Sequence, residues 1–164
     1  MKRFGLLMLI VTALLATGCE VSGAKHRQTS MNEYNEIIMK YNNLSRSVTN
    51  FAKHVHTVLR EDKRAKADDA FWETYDERAE KVKEEIAEIE AYDIKSLENR
   101  KIEPKLEAFI ALAEDYLGIG DIIRTDIKEA EEVNAVQYDE LIRISNETTL
   151  EFDVIYNAIL ESDK

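Results

Sequence analysis

A chain of 164 residues is long enough for one domain with a real hydrophobic core. Its mix of 45% hydrophobic and 34% charged residues excludes the composition of a disordered chain. The net charge of −11 repels phosphate backbones, which excludes a nucleic-acid partner, and it opposes lying flat on anionic lipid. One Pro and five Gly leave few turn signals, so the expected elements are few and long, hence helices.

The chain starts with a short positive region, Lys2-Arg3, followed by an apolar run from Phe4 to Ala16. A membrane-spanning helix needs roughly 20 apolar residues, and this run is too short for that. A basic start, a short apolar run and then small residues, here Ala16-Thr17-Gly18, read as an export signal. Cys19 follows at once and is the only Cys in the chain, so no intramolecular disulfide forms. This order of features resembles the lipobox of bacterial lipoprotein precursors. The resemblance implies a signal peptide over residues 1–18, cleavage between Gly18 and Cys19, and diacylglycerol attachment to the Cys19 thiol. The position three before the Cys is usually Leu in that family and is Ala16 here. Two or three acyl chains give stable anchoring where one is marginal. Cleavage would leave 146 residues, with 20 basic against 33 acidic side chains. Glu20 stands where an Asp often retains Gram-negative lipoproteins in the inner membrane, so that signal is absent.

Residues Glu20 to Thr29 show no apolar periodicity and contain Ser and Gly, so residues 19–30 are expected to form a lipidated Cys and a flexible tether. The bundle domain is then expected over residues 31–164. Ser30-Met31-Asn32-Glu33 fits the S-x-x-E capping box. After it Tyr34, Ile37, Tyr41, Leu44, Val48, Phe51, Val55 and Val58 step by three and four, which predicts a helix from Met31 to about Asp62. The charged stretch from Lys63 to Ala67 has no seam. Asp68 or Asp69 can cap a second helix with the seam Trp72, Tyr75, Ala79, Val82, Ile86 and Ile89, ending near Tyr92. The pattern lapses from Asp93 to Glu103. Pro104 suits the first turn of a third helix, because its missing amide costs nothing there.

The third seam is Leu106, Phe109, Ala113, Tyr116, Gly120, Ile123, Ile127 and Ala130. Gly118 and Gly120 weaken it, but the spacing survives, so a continuous helix is expected. Asn134-x-x-Gln137 offers a cap for a fourth helix whose face is Tyr138, Leu141, Ile144, Thr148, Phe152, Ile155 and Ile159. Four such segments joined by short connections predict an all-α, antiparallel up-down-up-down four-helix bundle. The alternative is a three-helix bundle with a break at Gly118–Gly120 and a long last helix.

No catalytic, cofactor-binding or metal-binding residues are expected. A di-metal bundle needs Glu-x-x-His pairs, and none of His26, His54 and His56 has a Glu three residues before it. His54 and His56 lie two apart on a helix and point in different directions. No Gly-rich phosphate loop, zinc-ligand spacing or nucleophile elbow occurs. The carboxylate pairs Asp68-Asp69, Glu84-Glu85 and Glu131-Glu132 read as solvated helix faces. Tyr34, Tyr41, Tyr75, Tyr116 and Tyr138 read as core packing with hydroxyls reaching the rim. Ile38, Leu59 and Leu117 are left over as apolar positions through which two bundles could pair.

The stretch from Tyr138 through Asn146, Thr148 and Phe152 to Tyr156-Asn157 is similar to the last helix of a Gram-positive family of helical cell-wall-binding lipoproteins. The match covers some twenty residues and assigns no functional residue. The expected function is therefore a membrane-anchored, extracytoplasmic lipoprotein that is not an enzyme and binds or scaffolds a protein partner or a cell-wall component. The alternative is an exclusion or immunity lipoprotein encoded by a prophage or plasmid.

Overall fold

A computed structural model of the chain describes residues 2–59 and 67–162, with side chains from Gly23 onward. The fold is an all-α four-helix bundle, and no strand occurs among the described residues. Helix α1 spans Lys2–Leu59 and α2 spans Asp69–Glu90. A 3-10 turn at Asn99–Ile102 leads into α3, Glu103–Leu117, which continues past a joint at Gly118 as α4, Ile119–Thr125. Helix α5 spans Ile127–Glu161 and is the last. Its 35 residues make it about 52 Å long at 1.5 Å per residue.

Neighbouring helices run antiparallel. Along α1, Lys40 meets Glu88 while the later His54 meets Phe71. In the same way Tyr34 packs on Tyr156 of α5, and His56 reaches back to Asn134. Lys105 of α3 pairs with Glu147, and Tyr116 with Asn134.

The seams predicted from spacing form most of the core, except that Phe71 rather than Trp72 takes the buried place on α2 and Tyr138 on α5 is exposed. On α1, Leu44, Val48, Phe51, Val55 and Val58 are fully buried. Aromatic rings tie the helices together: Phe51 packs on Tyr75 of α2 at 4.9 Å and on Tyr116 of α3 at 6.3 Å. Tyr41 packs on Phe109 of α3 at 5.1 Å and Phe152 of α5 at 5.5 Å. Such pairs add roughly 0.5–1.5 kcal/mol each beyond area burial. Asp68 caps α2 by accepting from the Phe71 amide at 2.9 Å, and Pro104 sits in the first turn of α3, both as expected. The patternless stretch after α2 still contributes Ile94 and Ile102 to the core.

Three boundaries differ from the sequence reading. The expected tether, residues 19–30, is helical throughout and continuous with α1. Gly23 does not use a positive φ, Thr29 bonds back to the Lys25 carbonyl, and Gln28 bonds to Asn32. Ser30 is therefore inside a helix, 2% exposed, and is no cap. The expected end of the first helix near Asp62 and the connection from Lys63 lie outside the described residues.

The third segment ends early and the fourth begins early, at Asp126. That residue is extended (φ −147°, ψ 104°), and its carboxylate accepts from the amides of Lys128 at 2.8 Å and Glu129 at 3.3 Å. Asn134 is not a cap but lies inside α5, 1% exposed. The continuous third helix expected across Gly118 is jointed there, and the last helix is long, as the alternative reading had it. The arrangement nonetheless has four columns, because α3 and α4 together pack along α5.

Candidate functional site

The helix ends position a polar cluster where α2 turns into α3. Glu33 projects from α1 towards this turn. It accepts from the backbone amides of Lys95 at 2.6 Å and Ser96 at 2.9 Å, and from the Asn99 side chain at 2.8 Å. Partial burial acts to raise its pKa, but the Asn99, Lys95 and Ser96 hydrogen bonds together outweigh it and hold the carboxyl at about 2. Asn99, 1% exposed, also donates to the Ser30 carbonyl at 2.9 Å. Glu33 thus serves the turn rather than the capping box predicted for it. Beside it Tyr92 donates to Glu36 at 2.7 Å, and burial together with that carboxylate pushes its phenol pKa up.

A second polar cluster joins α1, α3 and α5. The Tyr116 hydroxyl, fully buried, donates to Asn134 Oδ1, and Asn134 Nδ2 lies 2.8 Å from His56 Nδ1. Burial raises the Tyr116 pKa. His56 stacks near Tyr138, with ring centroids 6.0 Å apart. Each member is satisfied, which makes this a structural pin across three helices.

The expected site residues fall as follows. The Cys19 side chain lies outside the described residues. His26 is exposed, 3.8 Å from Glu98. His54 stacks on Phe71 at 4.4 Å and contacts the Phe71 carbonyl at 2.9 Å, whereas His56 faces α5, so the two rings diverge. Among the described residues no group of three or more His, Cys, Asp or Glu is placed to hold a metal ion. Tyr34, Tyr41, Tyr75 and Tyr116 are buried, and Tyr138 is 39% exposed.

Two expectations need correction. Glu85 is not on a solvated face: it is 6% exposed and 3.1 Å from Lys81. The leftover positions Ile38, Leu59 and Leu117 are not free either. Leu59 is buried, and Ile38 and Leu117 pack against the core.

The surface available for recognition lies elsewhere. Nine large apolar side chains stand exposed among the described residues, and seven are on α5: Val136, Tyr138, Ile142, Leu150, Val154, Tyr156 and Leu160. The exposed residues of α5 between Asn146 and Leu160 include one charge, Asp153. The signal was present in the sequence as apolar residues outside the seam, but only packing shows which side of α5 stays uncovered.

The other feature is a groove. Helices α2 and α3 touch each other far less than do α1 and α2, α1 and α5, or α3 and α5. A cleft of about 420 Å³ opens between them, with Ile89, Ile94, Leu106 and Ile110 at its floor and Glu90, Glu103, Glu107 and Glu114 around it. A second cleft of about 430 Å³, lined by Ile86, Ala87 and Leu117, shares Glu90 and Glu114 with the first. Among the described residues no helix is long and apolar enough to cross a membrane. No protein-family model, curated protein or solved structure matches the chain.

Proposed function

We propose that the protein is an extracytoplasmic lipoprotein, held at a bacterial membrane by lipid on Cys19, whose helical bundle is a non-enzymatic binding body for a protein or cell-wall component of the envelope. The observation that carries the binding role is the apolar outer face of the second half of α5, where Asp153 is the one exposed charge between Asn146 and Leu160 on an acidic chain. Exposed apolar side chains gathered on one helix mark an interaction surface, whereas scattered ones need no explanation. The anchor rests on the order Lys2-Arg3, the apolar run, Ala16-Thr17-Gly18 and Cys19.

Capture with purified peptidoglycan and with envelope extracts tests the binding role, using the natural chain against Leu150→Asp/Val154→Asp. The natural chain is expected to retain a partner that the double variant loses. Equal capture by both, or no capture together with a measured hydrolytic or transfer activity, overturns the reading. Incorporation of a clickable fatty acid tests the anchor: labelling that persists in Cys19→Ala rejects it.

A further inference from the structure

We propose that the groove between α2 and α3 seats an amphipathic helix with basic flanks, supplied by a partner protein. A four-helix bundle has four seams between neighbours. Three are closed here by close packing, and the α2/α3 seam stands open along most of α3. Its floor is apolar: Ile86 and Ile89 on α2, Ile94 after it, and Leu106 and Ile110 on α3. These side chains are each 9% exposed or less, so a fifth helix laid along this seam would rest on a narrow apolar floor and be held chiefly at the rim.

The rim decides which helix. Glu90 on α2 and Glu103, Glu107 and Glu114 on α3 have no ion-pair partner among the described residues. The one basic lining residue, Lys83, is 3.6 Å from Glu80 of its own helix. An occupant with Lys or Arg on both sides of an apolar stripe would neutralise these carboxylates from either side of the groove. A second copy of this chain, at net charge −11, would bring more negative charge to the same place, and so would an anionic lipid surface. The 15 residues of α3 fix the length of the seat at about 22 Å, room for a helix of four turns.

The inference rests on the reading of the bundle as a binding body, but it uses a different surface from α5, so the two can fail separately. The probe is a fluorescein-labelled Leu/Lys peptide of about 18 residues with apolar positions at helical spacing, titrated by anisotropy against the full chain. Its controls are a scrambled peptide of equal charge and a Leu/Glu counterpart. The helical-pattern Leu/Lys peptide is expected to bind, and both controls to bind at least about tenfold more weakly.

Glu90→Gln/Glu107→Gln/Glu114→Gln is expected to weaken binding about tenfold or more, in line with several exposed ion pairs lost together. Ala111→Trp fills the cleft from an exposed position and is expected to abolish binding. Ala87→Trp does the same from α2 and stands in if Ala111→Trp loses its helical circular dichroism. Leu150→Asp on α5 is expected to leave the affinity unchanged. Equal binding of the scrambled peptide, or unchanged binding by the triple-Gln and Trp variants, overturns the proposal. So does a dimer that the Trp variant dissolves, which would put a second copy in the groove.

Discussion

Gly120 is the position where one added methyl group should be felt most. It is buried on α4, and a Cβ there would collide with the hydroxyl and Cζ of Tyr75 and stand 2.9 Å from its Cε1. The ring has little room to retreat. It packs on Phe51 at 4.9 Å and Trp72 at 5.4 Å, and its hydroxyl donates to the Leu117 carbonyl at 2.6 Å. Overpacking of this kind costs about 1–3 kcal/mol, and loss of the Tyr75–Leu117 bond about 1 kcal/mol more. Helix propensity returns at most about 1 kcal/mol on replacing Gly by Ala.

Gly120→Ala is therefore expected to destabilise by about 1–3 kcal/mol, lowering Tm by about 2–4 °C per kcal/mol. Gly118→Ala is the control. Its φ of −68° is ordinary for Ala, and the added Cβ meets only the Asp115 carbonyl at 3.3 Å, so it should be neutral or stabilising by up to about 1 kcal/mol. In a Tyr75→Leu background the Gly120→Ala penalty should shrink by about 1 kcal/mol or more. Thermal unfolding by circular dichroism measures each of these proteins against the natural chain. A Gly120→Ala protein as stable as Gly118→Ala, or an undiminished penalty in the Tyr75→Leu background, refutes the close-approach argument.

Glu33 gives a pH signature. Its folded pKa of about 2 lies below the ordinary 4.5, so its contribution is complete above about pH 4.5 and is lost as pH falls towards 2. Glu33→Gln should lower stability at pH 6 by roughly 1–2 kcal/mol after allowance for solvent screening, and by much less at pH 2; denaturant melts at the two pH values check this. Tyr116→Phe removes the donor to buried Asn134 and should cost about 1–2 kcal/mol in the same melts, with the helical spectrum unchanged. Leu150→Asp alters an exposed side chain and should shift stability by less than about 0.5 kcal/mol while abolishing partner capture.

The seams were legible because a helix that buries one face must repeat apolar residues every three or four positions. Val48, Phe51, Val55 and Val58 were read from spacing alone, and all are buried. The same rule misled at the third and fourth helices. Ile123, Ile127 and Ala130 keep the spacing across Asp126, so periodicity ran through a real break. The local signal was there: Asp126 is followed three residues later by Glu129, a cap-and-acid pattern, but Asn134 and Gln137 offered a competing one. Ser30 and Glu33 show the converse. They match a capping box, yet Glu33 finds the Lys95 and Ser96 amides more than sixty residues away, and the helix continues through Ser30.

The sequence by itself determined the helical class, most of the buried faces, a cap for α2 at Asp68 or Asp69 and the start of α3 near Pro104. These depend on neighbours within a turn or two and on a period the chain carries in its own order. The tertiary structure decided which polar residues were needed inside and which apolar ones were left outside. Asn134, Glu85 and Asn99 are buried because a distant helix or turn closes over them, and Leu150 and Val154 are exposed because no other helix packs there. The α2/α3 groove belongs to the same class. Each of its walls reads in the sequence as an ordinary amphipathic helix, and only the unequal packing of the four columns leaves that seam open.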